Sequence, residues 1–103
     1  MAYLGLDVGT SGCKAVLVNE NGEILCKTHR EYSLVYPAPG HVELDPGIVW
    51  NNVVSVLKEV ASYKNYIKYI AVASIGEAMV ILDKTDKPLT NGVTYLDRRC
   101  SET

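Results

Sequence analysis

The residues best equipped for chemistry come early, in the stretch Asp7-Val8-Gly9-Thr10-Ser11-Gly12-Cys13-Lys14. Glycines at 9 and 12 let a backbone take positive φ and come close to a ligand, and successive loop N–H groups can form a concave nest for anionic oxygens. Thr10 and Ser11 add hydroxyl donors, and Lys14 adds a cation. Asp7, at the carboxyl end of its strand, can hold Mg²⁺ or its waters against a phosphate, since Mg²⁺ usually takes one or two carboxylates and keeps its other positions for water and phosphate. Nucleotide phosphate binding is the chemistry this set suits. A buried hairpin whose Asp, Thr and Ser satisfy their own turn has the same composition. The residues alone leave both readings open.

Several elements must position that loop. Aliphatic and β-branched runs of strand length on either side, Tyr3 to Val8 and Cys13 to Val18, predict strand, turn, strand. Asn19-Glu20-Asn21-Gly22 predicts a second turn, because Asn-Gly tolerates the positive φ of two-residue hairpin turns. Glu23 to Tyr32 then supplies a third antiparallel strand, with Ile24, Cys26 and Thr28 on one face and Leu25, Lys27 and His29 on the other. His29, with no neighbouring Cys or His, reads as a half-exposed strand residue. Pro37, Pro39, Gly40 and Pro46 make the next segment an ordered connection, neither helix nor strand.

Asp45 is a good N-cap, and Pro46 suits the first helical position. Val49, Val53, Val56, Leu57 and Val60 follow at helical spacing as a core-facing stripe, with Asn51, Asn52, Ser55, Lys58 and Glu59 toward solvent. Trp50 is expected to pack at the helix start, and Tyr63, Tyr66 and Tyr69 to form an aromatic rim on the core. Ile70-Ala71-Val72-Ala73 predicts a strand buried on both faces and parallel to an earlier one through a right-handed crossover. A second apolar run, Met79 to Leu82, ends in the turn Asp83 to Pro88, and Val93 to Tyr95 makes a last short strand. The two apolar runs read as buried strands with Glu77 between them, where a carboxylate must be paired or used to offset its desolvation.

Composition narrows the function class. The chain has 103 residues, enough for one small core, with 48% apolar and 21% charged residues, a soluble globular balance. A net charge of -2 without a basic block argues against a nucleic-acid or polybasic membrane surface. No apolar run approaches a membrane span and no signal peptide is evident, so the expected compartment is the cytoplasm. Cys13, Cys26 and Cys100 form no C-x-x-C pair and read as reduced thiols.

Two motifs together carry a family resemblance. Asp7-Val8-Gly9-Thr10-Ser11 with Lys14 resembles the first phosphate loop of the FGGY carbohydrate kinases, and Pro37-Ala38-Pro39-Gly40-His41-Val42-Glu43-Leu44-Asp45-Pro46 resembles the segment that follows it in xylulokinase-like members. Actin and the chaperone ATPases carry relatives of the first motif but not the second. The resemblance implies an α/β ribonuclease H-like (actin-like ATPase) fold, partial here: a mixed sheet beginning with antiparallel hairpins, then a helix and further strands. It implies that residues 1–103 are the N-terminal portion of the first kinase domain, the remainder and the second domain being absent.

The function implied is ATP-dependent phosphorylation of a small sugar or polyol such as a pentulose, with ATP and Mg²⁺ as cofactors. Gly9, Thr10, Ser11 and Lys14 would meet the ATP phosphates, and Asp7 would act on Mg²⁺ through water. Ser74-Ile75-Gly76-Glu77-Ala78 stands where the family has a sugar-contacting loop, which makes Glu77 a candidate sugar ligand against a structural ion pair. Tyr95-Leu96-Asp97-Arg98-Arg99 is similar to the family's Trp-x-Asp-x-Arg, with Tyr95 in place of Trp. Asp97 and Arg99 would then hydrogen-bond sugar hydroxyls, where without the motif they read as a surface ion pair. The general base, an Asp, is expected downstream of Thr103, so the isolated chain is expected to be inactive. A non-catalytic actin-like nucleotide-binding or regulatory module is the alternative, and a homodimer through exposed sheet edges is a further expectation.

Overall fold

The computed structural model describes residues 1–100. Ser101 to Thr103, and with them the expectation that no cap or closing strand ends the chain, lie outside the described residues. The elements in chain order are β1 (Ala2–Val8), β2 (Gly12–Asn19), β3 (Ile24–Glu31), β4 (Glu43–Leu44), α1 (Pro46–Val60), a 3-10 turn (Ala61–Tyr63), β5 (Ile67–Ser74) and β6 (Gly92–Val93). The main sheet has the order β3-β2-β1-β5, antiparallel except for β5, which runs parallel to β1. β4 and β6 pair separately, antiparallel.

Alternation in β1 and β2 buries Ala2, Leu4 and Leu6 beside Cys13, Ala15 and Leu17, and α1 covers them with Val53, Val56 and Val60. Asp45 caps the helix as expected, its Oδ1 accepting from the Gly47 N–H at 2.8 Å. Arg30 fastens β3 to α1. Its Nε donates to Ser55 Oγ at 3.1 Å, and its guanidinium pairs with Glu59. The result is a firm base on which the β1–β2 loop is mounted.

Three local expectations are corrected. The turn after β2 is longer than two residues, since Asn19 Oδ1 accepts from both Asn21 N and Glu23 N and only Gly22 takes positive φ, at 80°. A register shift between Leu17 and Val18 leaves Leu25 as an extra residue, which turns Ile24 away from the Cys26 and Thr28 face. The proline-containing connection holds a short strand after all, because Glu43 bridges Val35 on one side and pairs with Val93 on the other.

The larger correction concerns the second half. β5 pairs with β1 as the crossover predicts, but Ile70 and Val72 remain 60% and 63% exposed. α1 lies over β2 and β3, so no described residue covers the outer part of β5. Met79 to Leu82 forms no strand, only single bridges from Met79 to Val93 and from Leu82 to Pro88, and its side chains are exposed. The last short strand is Gly92–Val93 and stops before Thr94. Trp50 and Tyr66 stand in the open; Tyr69 stacks on Tyr3 with ring centroids 5.8 Å apart, and Tyr63 alone of the three tyrosines packs on the core. The radius of gyration is 16.2 Å, against about 13 Å for a compact domain of this length. Among the described residues no helix is long and apolar enough to cross a membrane.

Candidate functional site

The β1–β2 loop is closed by the Gly9 N–H donating to the Gly12 carbonyl at 2.8 Å. Neither glycine adopts positive φ, contrary to expectation; the glycines that do are Gly22 and Gly40. Space is what Gly12 provides. A Cβ there would lie 2.5 Å from the Arg30 carbonyl oxygen, and one on Gly9 would lie 3.2 Å from the Gly12 carbonyl oxygen.

Behind the loop sits Tyr32, buried, whose hydroxyl donates to the Gly9 carbonyl at 2.5 Å and whose N–H donates to the Ser11 carbonyl at 3.1 Å. Burial pushes its phenol up to about 12, with Cys13 and Asp7 adding to the shift, so the hydroxyl remains a donor through the neutral range. Burial likewise raises the Cys13 thiol. Sequence reasoning missed Tyr32 because a tyrosine at a strand end reads as packing.

Register does the rest. Asp7 stands opposite Lys14 on β2 and Ala73 on β5, and Lys14 stands opposite His29 on β3. Asp7, Lys14 and His29 therefore form a row on the sheet face away from α1. They border a groove of about 870 Å³ with Gly9, Ser11 and Tyr32. His29 was not counted as a site residue; the signal was its place on the same alternating face as Lys14.

A second cleft, of about 450 Å³, opens at the carboxyl ends of the parallel strands β1 and β5. The Ile75 N–H donates to the Val8 carbonyl at 3.0 Å and holds the two strand ends together. This cleft is lined by Asp7, Gly9 and Thr10 from the end of β1 and by Glu77 and Tyr95 from the chain after β5. Glu77 is exposed, and since Met79 to Leu82 is no strand it does not lie between two buried strands. Desolvation thus makes no demand on this carboxylate.

Asp97 and Arg99 are not brought to that cleft. Arg99 grips Asp97 with two parallel bonds, Nε to Oδ1 at 2.8 Å and Nη2 to Oδ2 at 2.7 Å, and the same Nη2 reaches Glu43 Oε2 at 2.6 Å. Asp97 Oδ2 also accepts from the Val42 N–H at 2.7 Å, and Asn91 Nδ2 donates to Glu43 Oε1 at 3.2 Å. Arg99 holds the Asp97 carboxyl well below the usual carboxylate range and lowers Glu43 too, while both carboxylates raise Arg99. The group is a brace between the proline-containing segment and the residues after β6. Glu43 was the missed member, although it is part of the second motif.

The donor set bears on a metal. Among the described residues no three His, Cys, Asp or Glu side chains cluster into a cage. Asp7 is a single exposed carboxylate beside the loop. That set fits Mg²⁺ held between one carboxylate and nucleotide phosphates, with water completing its shell.

Comparisons with known proteins agree with this arrangement. A sequence model of the FGGY family of carbohydrate kinases, N-terminal domain, matches residues 2–103. The chain is 38% identical over 104 residues to a glycerol kinase of Rippkaea orientalis, covering 95% of this chain and 21% of that protein. Among solved structures, a xylulose kinase from Rhodospirillum rubrum superposes with a TM-score of 0.88 at 29% identity, covering 99% of this chain and 22% of that one. A xyloylose kinase from Brucella ovis superposes with a TM-score of 0.86 at 28% identity, covering 96% and 21%. The chain spans about a fifth of the length of these relatives. With the sheet order and the loop, they establish the expected ribonuclease H-like, actin-like fold in part, and the chain belongs to the FGGY family of carbohydrate kinases.

Proposed function

We propose that the full-length protein is an ATP-dependent kinase that transfers the γ-phosphoryl group to a hydroxyl of a small polyol or sugar, and that residues 1–103 are the N-terminal portion of the first of its two domains. The observation that carries this reading is that one cleft is lined by Asp7, Gly9 and Thr10 as well as by Glu77 and Tyr95. Phosphoryl transfer depends on bringing donor and acceptor together in line, and a shared cleft suits that need.

In this reading Gly9, Thr10 and Ser11 meet the terminal phosphates through N–H and hydroxyl donors, with Lys14 as a nearby cation. Asp7 holds Mg²⁺, which neutralises charge on the phosphates when bound. Glu77 accepts from acceptor hydroxyls, and Tyr95 offers the acceptor an apolar ring face. Asp97 and Arg99 belong to the brace with Glu43. The base that takes the hydroxyl proton comes from outside residues 1–103, and residues 1–103 by themselves do not turn over. ATP as donor suits the cytoplasm.

The acceptor we infer is a three- to five-carbon polyhydroxy compound, a reading supported by the glycerol kinase and xylulose kinase among the relatives. Assay of ADP release by the full-length protein against glycerol, tetritols and pentuloses tests the reading. Stimulation by one of them supports it, and an absence of stimulation across the panel with intact ATP binding refutes it.

A further inference from the structure

We propose that Tyr32 is a positioning residue for the nucleotide phosphates, holding the loop's peptide groups so that their N–H faces are presented to the anion. The assignment rests on the phosphate-loop reading above. A trans peptide points its C=O and N–H in opposite directions, and no peptide here is cis. Tyr32 takes the Gly9 carbonyl with its hydroxyl and the Ser11 carbonyl with its own N–H. The peptide groups linking Gly9 to Thr10 and Ser11 to Gly12 are thereby fixed with their carbonyls on the Tyr32 side. Their Thr10 and Gly12 N–H groups point the other way.

This orientation matters because a carbonyl turned toward a phosphate repels it, whereas an N–H attracts it. A loop free to flip its peptides presents both. The Thr10 N–H makes no hydrogen bond among the described residues, so it is available to a ligand. Tyr32 sits on the rigid end of β3, which the Arg30 contacts to Ser55 and Glu59 anchor to α1. The loop's geometry is thus set from the packed core and not by its own turn. Gly12 belongs to the same device, since its missing Cβ is what lets the loop lie against the backbone at Arg30.

The test uses the full-length protein. In the wild type, Mg²⁺ with a non-hydrolysable ATP analogue is expected to slow hydrogen exchange at the Thr10 amide. Tyr32→Phe keeps the ring and removes the hydroxyl. Loss of one hydrogen bond to the loop is expected to raise the KM for ATP by about 3- to 10-fold, leave kcat and the KM for acceptor within about twofold, and weaken the protection of Thr10 at a fixed sub-saturating concentration of the analogue. A merely structural tyrosine would lower the melting temperature without separating the two KM values. Protection of Thr10 in the wild type together with an unchanged ATP KM in Tyr32→Phe overturns the positioning role while the phosphate loop stands. No protection of Thr10 in the wild type overturns the phosphate-loop reading, and the Tyr32 assignment falls with it.

Discussion

Residues 2–60 and residues 67–99 are built from equally apolar sequence, yet only the first set buries it. Leu17 and Val56 are fully buried and Val60 nearly so, whereas Ile70, Val72 and Ile81 are each 60% exposed or more. Composition cannot account for the contrast. In the first region the core-facing sides of β1 and β2 find their partner within the same sixty residues, in α1, and the loop at Gly9 rests on that packed base, although Ile24, Tyr36 and Trp50 stay exposed. The second region contributes one strand to the sheet and Glu77 and Tyr95 to the cleft, and its remaining apolar faces meet nothing described. The half that carries the proposed phosphate loop packs on itself, and the half that carries Glu77 leaves Ile70, Val72 and Ile81 uncovered among the described residues.

The sharpest break of that comparison is at the loop. Asp7→Ala in the full-length protein is expected to cut turnover by at least about a hundredfold while acceptor binding, measured by calorimetry, stays near wild type; parallel loss of both would remove Asp7 from the metal. Gly12→Ala drives a Cβ to 2.5 Å from the Arg30 carbonyl. It should cost about 1–3 kcal/mol in chemical denaturation and most ATP affinity. Gly76→Ala, where nothing lies within 4 Å, should stay within about 0.5 kcal/mol.

Paired core substitutions sharpen the contrast next. Val56→Ala removes buried methyl groups and should cost about 2 kcal/mol in any context. Val72→Ala should cost under about 0.5 kcal/mol in residues 1–103 alone, and several times more in the full-length protein if β5 becomes covered there. Equal costs in both settings would mean that β5 stays exposed.

These contrasts also explain what was legible. The β1–β2 hairpin, the cap at Asp45 and the stripe through Val60 could be read because alternation, capping and helical spacing are local and their burial partners are near in sequence. Ile70 to Ala73 was readable as a strand, but its burial depends on neighbours beyond the pattern. Met79 to Leu82 has strand composition and no strand to pair with, so composition misled. Glu77, which the family resemblance makes a sugar ligand, lines the cleft together with Tyr95, which no motif singled out as a ligand. The family resemblance makes Asp97 and Arg99 sugar ligands, while the residues by themselves suit an ion pair, which the structure shows, and Glu43 completes the set from a position fifty-odd residues away. No local pattern reports a contact of that span.

The smallest expected effect concerns that brace. Asp97 and Glu43 are both held below their usual carboxylate range by Arg99. A carboxyl with a depressed folded pKa contributes stability that is complete above its unfolded value, about 4, and is lost as pH falls through the folded value. Thermal stability should therefore decline on acidification below that point, and Asp97→Asn should flatten the decline. An unchanged slope would mean that the brace adds nothing to stability.

In the proposed function one cleft serves both donor and acceptor, with Glu77 on the acceptor. Steady-state kinetics of full-length Glu77→Gln measures this most directly. The prediction is a several-fold rise in the KM for acceptor with the KM for ATP unchanged; a rise in the KM for ATP alone would contradict it and move Glu77 off the acceptor.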